Sequence, residues 1–243
     1  MTAERSVALI TGAAHRVGRA IADVLARHDY DIALHYHGAK SQAESTAAAL
    51  EAHGVRVVPC QADLRAPDAP QQLMAQITSA FGRLDVLVNS AAVMVRTPFA
   101  ETTVAQWDDM FALNLRAPFF LAQGAASHLA VRNGVIVNIA DLAAFETWPE
   151  YIPHSITKAG VVQMTRALAH ALAPHVRVNA VAPGAVLLPD QWNDEARQHL
   201  IDTTPLKRIG SPEDVANAVL YLVQADYVTG HTVLVDGGRR VRT

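Results

Sequence analysis

Apolar positions along this chain fall into two alternating patterns. Short, β-branched runs occur at Val7-Ala8-Leu9-Ile10, Asp31-Ile32-Ala33-Leu34-His35-Tyr36, 55–63, 84–92, 134–139, 177–182 and 232–238. Their near-continuous apolarity predicts strands buried on both faces. Between them lie stretches with helical spacing. A turn opens into a helix over 11–22, and an alanine-rich amphipathic helix covers 42–53, with Gly54 placed to end it. Further helices are predicted over 73–81, closing at Gly82, and from about 105 to 129. From Lys158 onward, Val161, Val162, Met164, Thr165, Leu168 and Leu172 recur every three to four residues. Ser211-Pro212-Glu213-Asp214 is a helix start with Ser at N-cap, Pro at N1 and two acids in the first turn, and that helix runs to about Gln224.

Residues 187–208 carry Pro189, Trp192 and Pro205 and little periodicity, which reads as a loop covering a substrate. No linker, repeat or low-complexity segment interrupts the alternation. The pattern predicts one α/β domain over 1–243, Rossmann-like, with a doubly wound parallel sheet.

Composition narrows the function classes. At 243 residues and 51% hydrophobic, the chain is long and apolar enough for one sizeable core. A net charge of -3 and a pI of about 6.4 imply no basic face, so nucleic acid is not expected as a partner. No apolar run reaches the ~18 residues a membrane span needs, and no charged-then-apolar leader precedes Ser6. The single cysteine, Cys60, lies in an apolar run and reads as a small core residue. Seven scattered histidines (His15, His28, His53, His128, His170, His175 and His231) lack ligand spacing, so no metal site is expected. Together these readings point to a soluble protein of a reducing cytoplasm.

Candidate chemistry concentrates in two places. Gly12 permits a tight turn after the first strand. Gly18 allows close approach of helix and ligand, and the free N–H groups at the helix start favour a pyrophosphate. Where NAD-preferring sites end the second strand with a carboxylate, this chain has His37-Gly38-Ala39-Lys40-Ser41. Lys40, Ser41, His37 and Arg16 are candidates to receive a 2′-phosphate, and the missing acid favours NADP over NAD. Asp63 ends the third strand, where it either bonds an adenine amino group or caps the next helix. Small residues at Ser90, Ala91 and Ala92 leave room for a flat ring. Asn114 inside an apolar helix needs partners and either organises a water or a backbone carbonyl near the site or is structural.

The second place is the stretch from Asn138 to Gly160, which brings a carboxylate (Asp141), a tyrosine (Tyr151), an imidazole (His154) and a lysine (Lys158) within a few turns. His154 and Lys158 are four apart and share a helix face. Asp141 lies just past the C-terminal end of its strand, where open α/β sheets bind ligands. Trp148 either walls a pocket or packs the loop.

These residues resemble the classical short-chain dehydrogenase/reductase family over nearly the whole chain. The resemblance rests on Thr11-Gly12 with Gly18, Asp63, Asn89-Ser90-Ala91-Ala92, Asn114, Lys158-Ala159-Gly160, Pro183-Gly184 and Val228-Thr229-Gly230 with Val235-Asp236-Gly237-Gly238. It implies a seven-stranded sheet, a nicotinamide cofactor and a homotetramer or homodimer. It also implies cofactor contacts from Gly12, His15, Arg16, Val17, Gly18, His37, Lys40, Ser41, Asp63, Leu64, Asn89, Ser90, Ala91, Lys158, Pro183 and Gly184.

Within the family the chain is most similar to the pteridine reductase-type branch. The shared features are Arg16 in the glycine loop, His35-Tyr36-His37, and Asp141 where most relatives have a serine. The implied activity is NADPH-dependent reduction of a pterin or a small carbonyl compound, with Asn114, Asp141, His154 and Lys158 as catalytic group. The family's tyrosine, four residues before the lysine, is His154 here. One reading makes His154, polarised by Asp141, the proton donor. A second makes the chain a dinucleotide-binding sensor or partner with impaired catalysis. A third uses Tyr151, which Pro153 is expected to hold on a loop nearer the substrate mouth.

Overall fold

The computed structural model describes residues 5–188 and 193–241. Seven strands, β1 (Val7–Ile10), β2 (Asp31–Tyr36), β3 (Val57–Gln61), β4 (Val86–Asn89), β5 (Val135–Ile139), β6 (Arg177–Pro183) and β7 (Thr232–Val235), form one sheet in the order β3-β2-β1-β4-β5-β6-β7. Every pairing is parallel, with Ala8 opposite both Ile32 and Val86, and Asn89 opposite Asn138. The helices are α1 (Arg16–Arg27), α2 (Lys40–Glu51), α3 (Ala69–Phe81), α4 (Val104–Phe111), α5 (Ala117–Ala130), α6 (Ile152–Leu172), α7 (Asp194–Thr203) and α8 (Pro212–Gln224).

The period of two along each strand sorts the core into two layers. Ala8, Ile10, Ile32, Leu34, Val86, Val88, Val135 and Val137 face α1, α2 and α8. Val7, Leu9, Ala33, Leu87, Ile136 and Val178 face α3, α5 and α6. This two-sided burial is why the strands read as apolar runs rather than alternations. Strand order reverses between β1 and β4, and the chain segments leaving their C-terminal ends part there to open a crevice.

Several element bounds differ from the sequence reading. The helix expected from Lys158 begins at Ile152, because Pro153 occupies its first turn, where the missing N–H costs nothing. Pro153 is thus a helix-start signal rather than a barrier to helix at Ile152. The helix expected over 105–129 is broken by a π-turn over Ala112–Arg116, centred on Asn114. The third strand is shorter than 55–63, and α2 and α3 start at Lys40 and Ala69, earlier than residues 42 and 73. The stretch 187–208 is not all loop: α7 occupies Asp194–Thr203, capped by Asn193, whose side chain accepts from Ala196 N–H at 2.8 Å. Pro189 and Trp192 of that stretch lie outside the described residues. The Ser211 start forms a full capping box with Asp214, as its sequence predicts. Cys60 is buried, and burial pushes its thiol up to about 11.

Candidate active site

One cavity of about 400 Å³ runs along the C-terminal edge of the sheet, from the end of β2 across β1 and β4 to the start of α6. At one end lies the turn between β1 and α1. Gly12 adopts φ 68, the left-handed region that only glycine enters freely, and a Cβ there would sit 3.1 Å from Ala91 Cα. A Cβ on Gly18 would lie 2.3 Å from the Gly12 carbonyl oxygen, so the helix can pack on its own turn only with glycine. His15 takes the N-cap position of α1 without a side-chain cap bond, which leaves the first-turn N–H groups open. The Thr11 hydroxyl accepts from the N–H groups of both Ser90 and Ala91 at 2.9 Å, locking the exit of β4 against that of β1.

The expected cofactor residues divide in two. Gly12, His15, Arg16, Val17, Gly18, His37, Asp63, Leu64, Ser90, Ala91, Lys158, Pro183 and Gly184 line the cavity. Lys40, Ser41 and Asn89 do not. Lys40 and Ser41 fall in the first turn of α2, where Lys40 pairs with Glu44 at 3.8 Å and Ser41 donates to Gln42 Oε1. Asn89 is buried, and its Nδ2 donates to Asn138 Oδ1 at 2.9 Å. Asn138 in turn donates to Thr165 Oγ1, so Asn89 ties β4 to β5 and α6. The cap of α3 is Asp68, not Asp63. Asp63 instead accepts from Arg65 N–H at 3.0 Å in its own turn, with its side chain on the cavity.

At the inner end lie Asp141, His154 and Lys158. Lys158 is 4% exposed, and its Nζ donates to the Ile139 carbonyl at 2.8 Å. Desolvation lowers its pKa to about 8, against an opposing pull from the Asp141 charge. His154 Nδ1 lies 3.3 Å from the Val93 carbonyl oxygen, so that nitrogen carries a proton and donates it. Nε2 is buried without a hydrogen-bond partner and lies 3.7 Å from Asp141 Oδ2. The Asp141 side chain is 25% exposed and that of His154 3%, so of these two cavity-lining groups the carboxylate is the more exposed. Asp141 Oδ1 accepts from Ala143 N–H at 2.8 Å, which fixes the carboxylate.

Asn114 does not reach the cavity with its side chain. Its Oδ1 accepts from Val93 N–H and its Nδ2 donates to Val93 O, both at 2.9 Å, with a further bond from Nδ2 to Thr157 Oγ1 at 3.3 Å. Thr157 Oγ1 donates to the His154 carbonyl at 2.7 Å. Val93 is therefore the junction of the site, held by Asn114 and met by His154. It acts through its backbone, which leaves no signal in a sequence. Thr157 had one, a hydroxyl on the apolar side of a helix.

Tyr151 and Trp148 stay off the cavity. Tyr151 is the N-cap residue of α6 and bridges Thr97, while Trp148 donates to Glu146 at 2.9 Å and meets the Tyr151 ring edge-on. Among the described residues no group of three or more His, Cys, Asp or Glu is placed to hold a metal, and no helix is long and apolar enough to cross a membrane.

A family model described as enoyl-(acyl carrier protein) reductase matches residues 12–240. The chain is 35% identical over 237 residues to the 3-oxoacyl-(acyl-carrier-protein) reductase FabG of Staphylococcus aureus, covering 95% of this chain and 96% of that one. It is 34% identical over 247 residues to the L-rhamnose 1-dehydrogenase (NAD(P)(+)) of a Sphingomonas species, covering 98% and 97%. Among solved structures, the acetoin dehydrogenase of Enterobacter cloacae superposes with a TM-score of 0.91 at 31% identity, covering 100% of this chain and 98% of that one.

Proposed function

Because the chain belongs to the classical short-chain dehydrogenase/reductase family, whose members are oxidoreductases that bind a nicotinamide dinucleotide, we propose that it transfers a hydride between NADP(H) and a pterin or a small carbonyl compound. The observation that carries this reading is a single cavity with the glycine turn at one end and Asp141, His154 and Lys158 at the other.

The residues fit a dinucleotide. The open N–H groups of the α1 first turn suit a pyrophosphate, and the flat space beside Ser90 and Ala91 suits a planar ring. Arg16 and His37 line the end of the cavity where a 2′-phosphate would lie, and the segment after β2 offers no carboxylate to a ribose, which supports NADP over NAD. When bound, the dinucleotide supplies or receives the hydride.

The chain's own part is proton exchange and orientation. Asp141, facing the cavity, exchanges the proton with the substrate. His154 Nε2, 3.7 Å from that carboxylate, is the group that passes a proton to Asp141 when a substrate is reduced and takes one back when it is oxidised. Lys158 adds a buried positive charge that favours the ionised carboxylate and is placed to bond ribose hydroxyls. Asn114 holds Val93, and through Val93 the imidazole, in place. Val93, Met94 and Leu187 give the mouth an apolar rim suited to a flat ring or short chain.

The same proposal takes the protein as a cytoplasmic homotetramer or homodimer. Phe119 and Phe120, exposed on α5 beside the stacked pair Trp107 and Phe111 on α4, offer an apolar patch for a second copy.

One observation favours the second reading, a dinucleotide-binding protein with little turnover: the residue in the tyrosine's place has its free nitrogen sealed from solvent. Oxidation of NADPH and NADH by purified protein, against dihydropterins, quinones and simple ketones and with binding followed in parallel, separates the two. Turnover with NADPH preferred supports the reductase. Binding without turnover on every acceptor supports the sensor. No binding of either dinucleotide overturns both.

A further inference from the structure

The His35 side chain takes part in no step described above, yet it lies inside the C-terminal edge of the sheet, 2% exposed. Gly12 N–H donates to its Nδ1 at 3.1 Å. Its Nε2 lies 3.2 Å from the Ala62 carbonyl oxygen, and its own carbonyl accepts from Ala13 N–H at 2.9 Å. A backbone amide can only donate and a carbonyl can only accept, so the ring has one allowed state: Nδ1 bare, Nε2 protonated, charge zero.

We propose that His35 is the positioning residue of the phosphate-binding turn, holding two successive N–H groups of that turn from behind, one with its ring and one with its carbonyl. It does so from the middle of three neighbouring strands. Gly12 leaves β1, His35 belongs to β2, and Ala62 follows β3, so a single side chain ties together the three exits that form the adenosine end of the cavity. With Gly12 and Ala13 already engaged, the open N–H groups of the first turn of α1 remain for an anion. The inference rests on the dinucleotide reading for its consequence, though not for its geometry.

The surroundings keep the ring neutral. Desolvation lowers its pKa to about 4, only partly offset by the bond to Ala62. The charges acting on it are His37, on the same segment, which opposes protonation, and Asp63, after β3, which favours it. His15 and Arg16, from the turn itself, line the same cavity. A proton on Nδ1 would set an N–H against the Gly12 N–H, so the charged ring and the ordered turn exclude each other.

The test has two arms. In full-length protein labelled with ¹⁵N-histidine, the resonances lost in His35→Asn identify the ring in the wild type. The expected signature is a bare Nδ1 with a protonated Nε2, unchanged from pH 8 to pH 5. A protonated Nδ1, or titration inside that interval, overturns the proposal. The second arm measures the dissociation constant of NADP⁺ for wild type, His35→Asn and His35→Leu. Asn offers an acceptor to Gly12 and a donor to Ala62, and should stay within about threefold of wild type. Leu leaves a buried N–H unpaired and should weaken binding by about tenfold or more. Equal affinity of Leu and wild type overturns the proposal. A wild type that binds no dinucleotide at all defeats the functional reading and the affinity arm with it, while the tautomer is still read from the first arm.

Discussion

Asp141 Oδ2 and His154 Nε2 lie 3.7 Å apart at the inner end of the cavity, the carboxylate partly exposed and the imidazole nitrogen buried. From sequence, one of three readings made the ring the donor, with Asp141 polarising it. The Asp141 side chain is the more exposed of the two, which supports the proposal that it is the group meeting the substrate.

The proposal predicts unequal effects of substitution. Asp141→Asn removes the proton-exchanging group and should lower kcat by about 100-fold or more, with the NADPH dissociation constant little changed. His154→Ala should cost about tenfold, because Asp141 is left in place without its partner. Steady-state kinetics on one accepted substrate decide the matter. A larger loss in His154→Ala than in Asp141→Asn would return the primary role to the imidazole, and unchanged turnover in His154→Ala would remove His154 from the chemistry.

Lys158 predicts a pH-dependent stability of the cofactor-free protein. Its folded pKa is about 8 against an ordinary 10.5, because burial disfavours the charge. Between those values the unfolded chain holds the proton and the folded chain does not, so stability rises with pH through the interval. Below about pH 8 the whole penalty is present, about 3 kcal/mol. Cys60, raised from 9.0 to about 11, acts in the opposite direction above pH 9, so the cleanest window is pH 8 to 9. Urea denaturation of wild type and Lys158→Met should show a positive slope there for the wild type and a flatter one for the variant. At pH 7 the variant should be the more stable, although it loses turnover.

Gly18→Ala tests the glycine turn. The added methyl would lie 2.3 Å from the Gly12 carbonyl oxygen, a contact the backbone must relieve by moving the turn off α1. The dissociation constant for the dinucleotide should rise by about tenfold or more, while far-ultraviolet circular dichroism stays that of the wild type. A variant that binds as the wild type does would show that the turn does not hold the phosphates.

Asn114→Ala leaves the Val93 N–H without its side-chain acceptor and leaves the Val93 carbonyl held by His154 Nδ1 alone. Each buried group left unpaired costs about 1–3 kcal/mol, so the melting temperature should fall. The expected kinetic result is a drop in kcat exceeding any change in cofactor affinity, since the residue acts on the inner end of the cavity. Asn114→Asp, which keeps the acceptor for Val93 N–H but loses the donor, should fall between the two.

The alternation of apolar runs with helical spacing was enough to read a parallel α/β sheet from the chain alone, because strands covered on both faces leave that trace in composition. The glycine turn, Asp141 at a strand end and the four-residue spacing of His154 and Lys158 were equally legible, since each is a local relation along one element. Breaks in an otherwise continuous period were not. The π-turn at Asn114 leaves the apolar spacing of 105–129 intact, and α7 was hidden in a stretch of 187–208 with weak periodicity.

The sequence by itself determined which residues could carry chemistry and on which elements they sit. Tertiary structure decided which way they face and what they touch. Asn89 turned into the sheet, Lys40 and Ser41 fell beside the cavity rather than along it, and Asp141 is left more exposed than His154. The physical reason is that a residue's type and register follow from local backbone geometry, whereas its partners come from segments far away in the chain. Val93 is 61 residues from the imidazole whose proton it positions, and nothing in either local sequence records that contact.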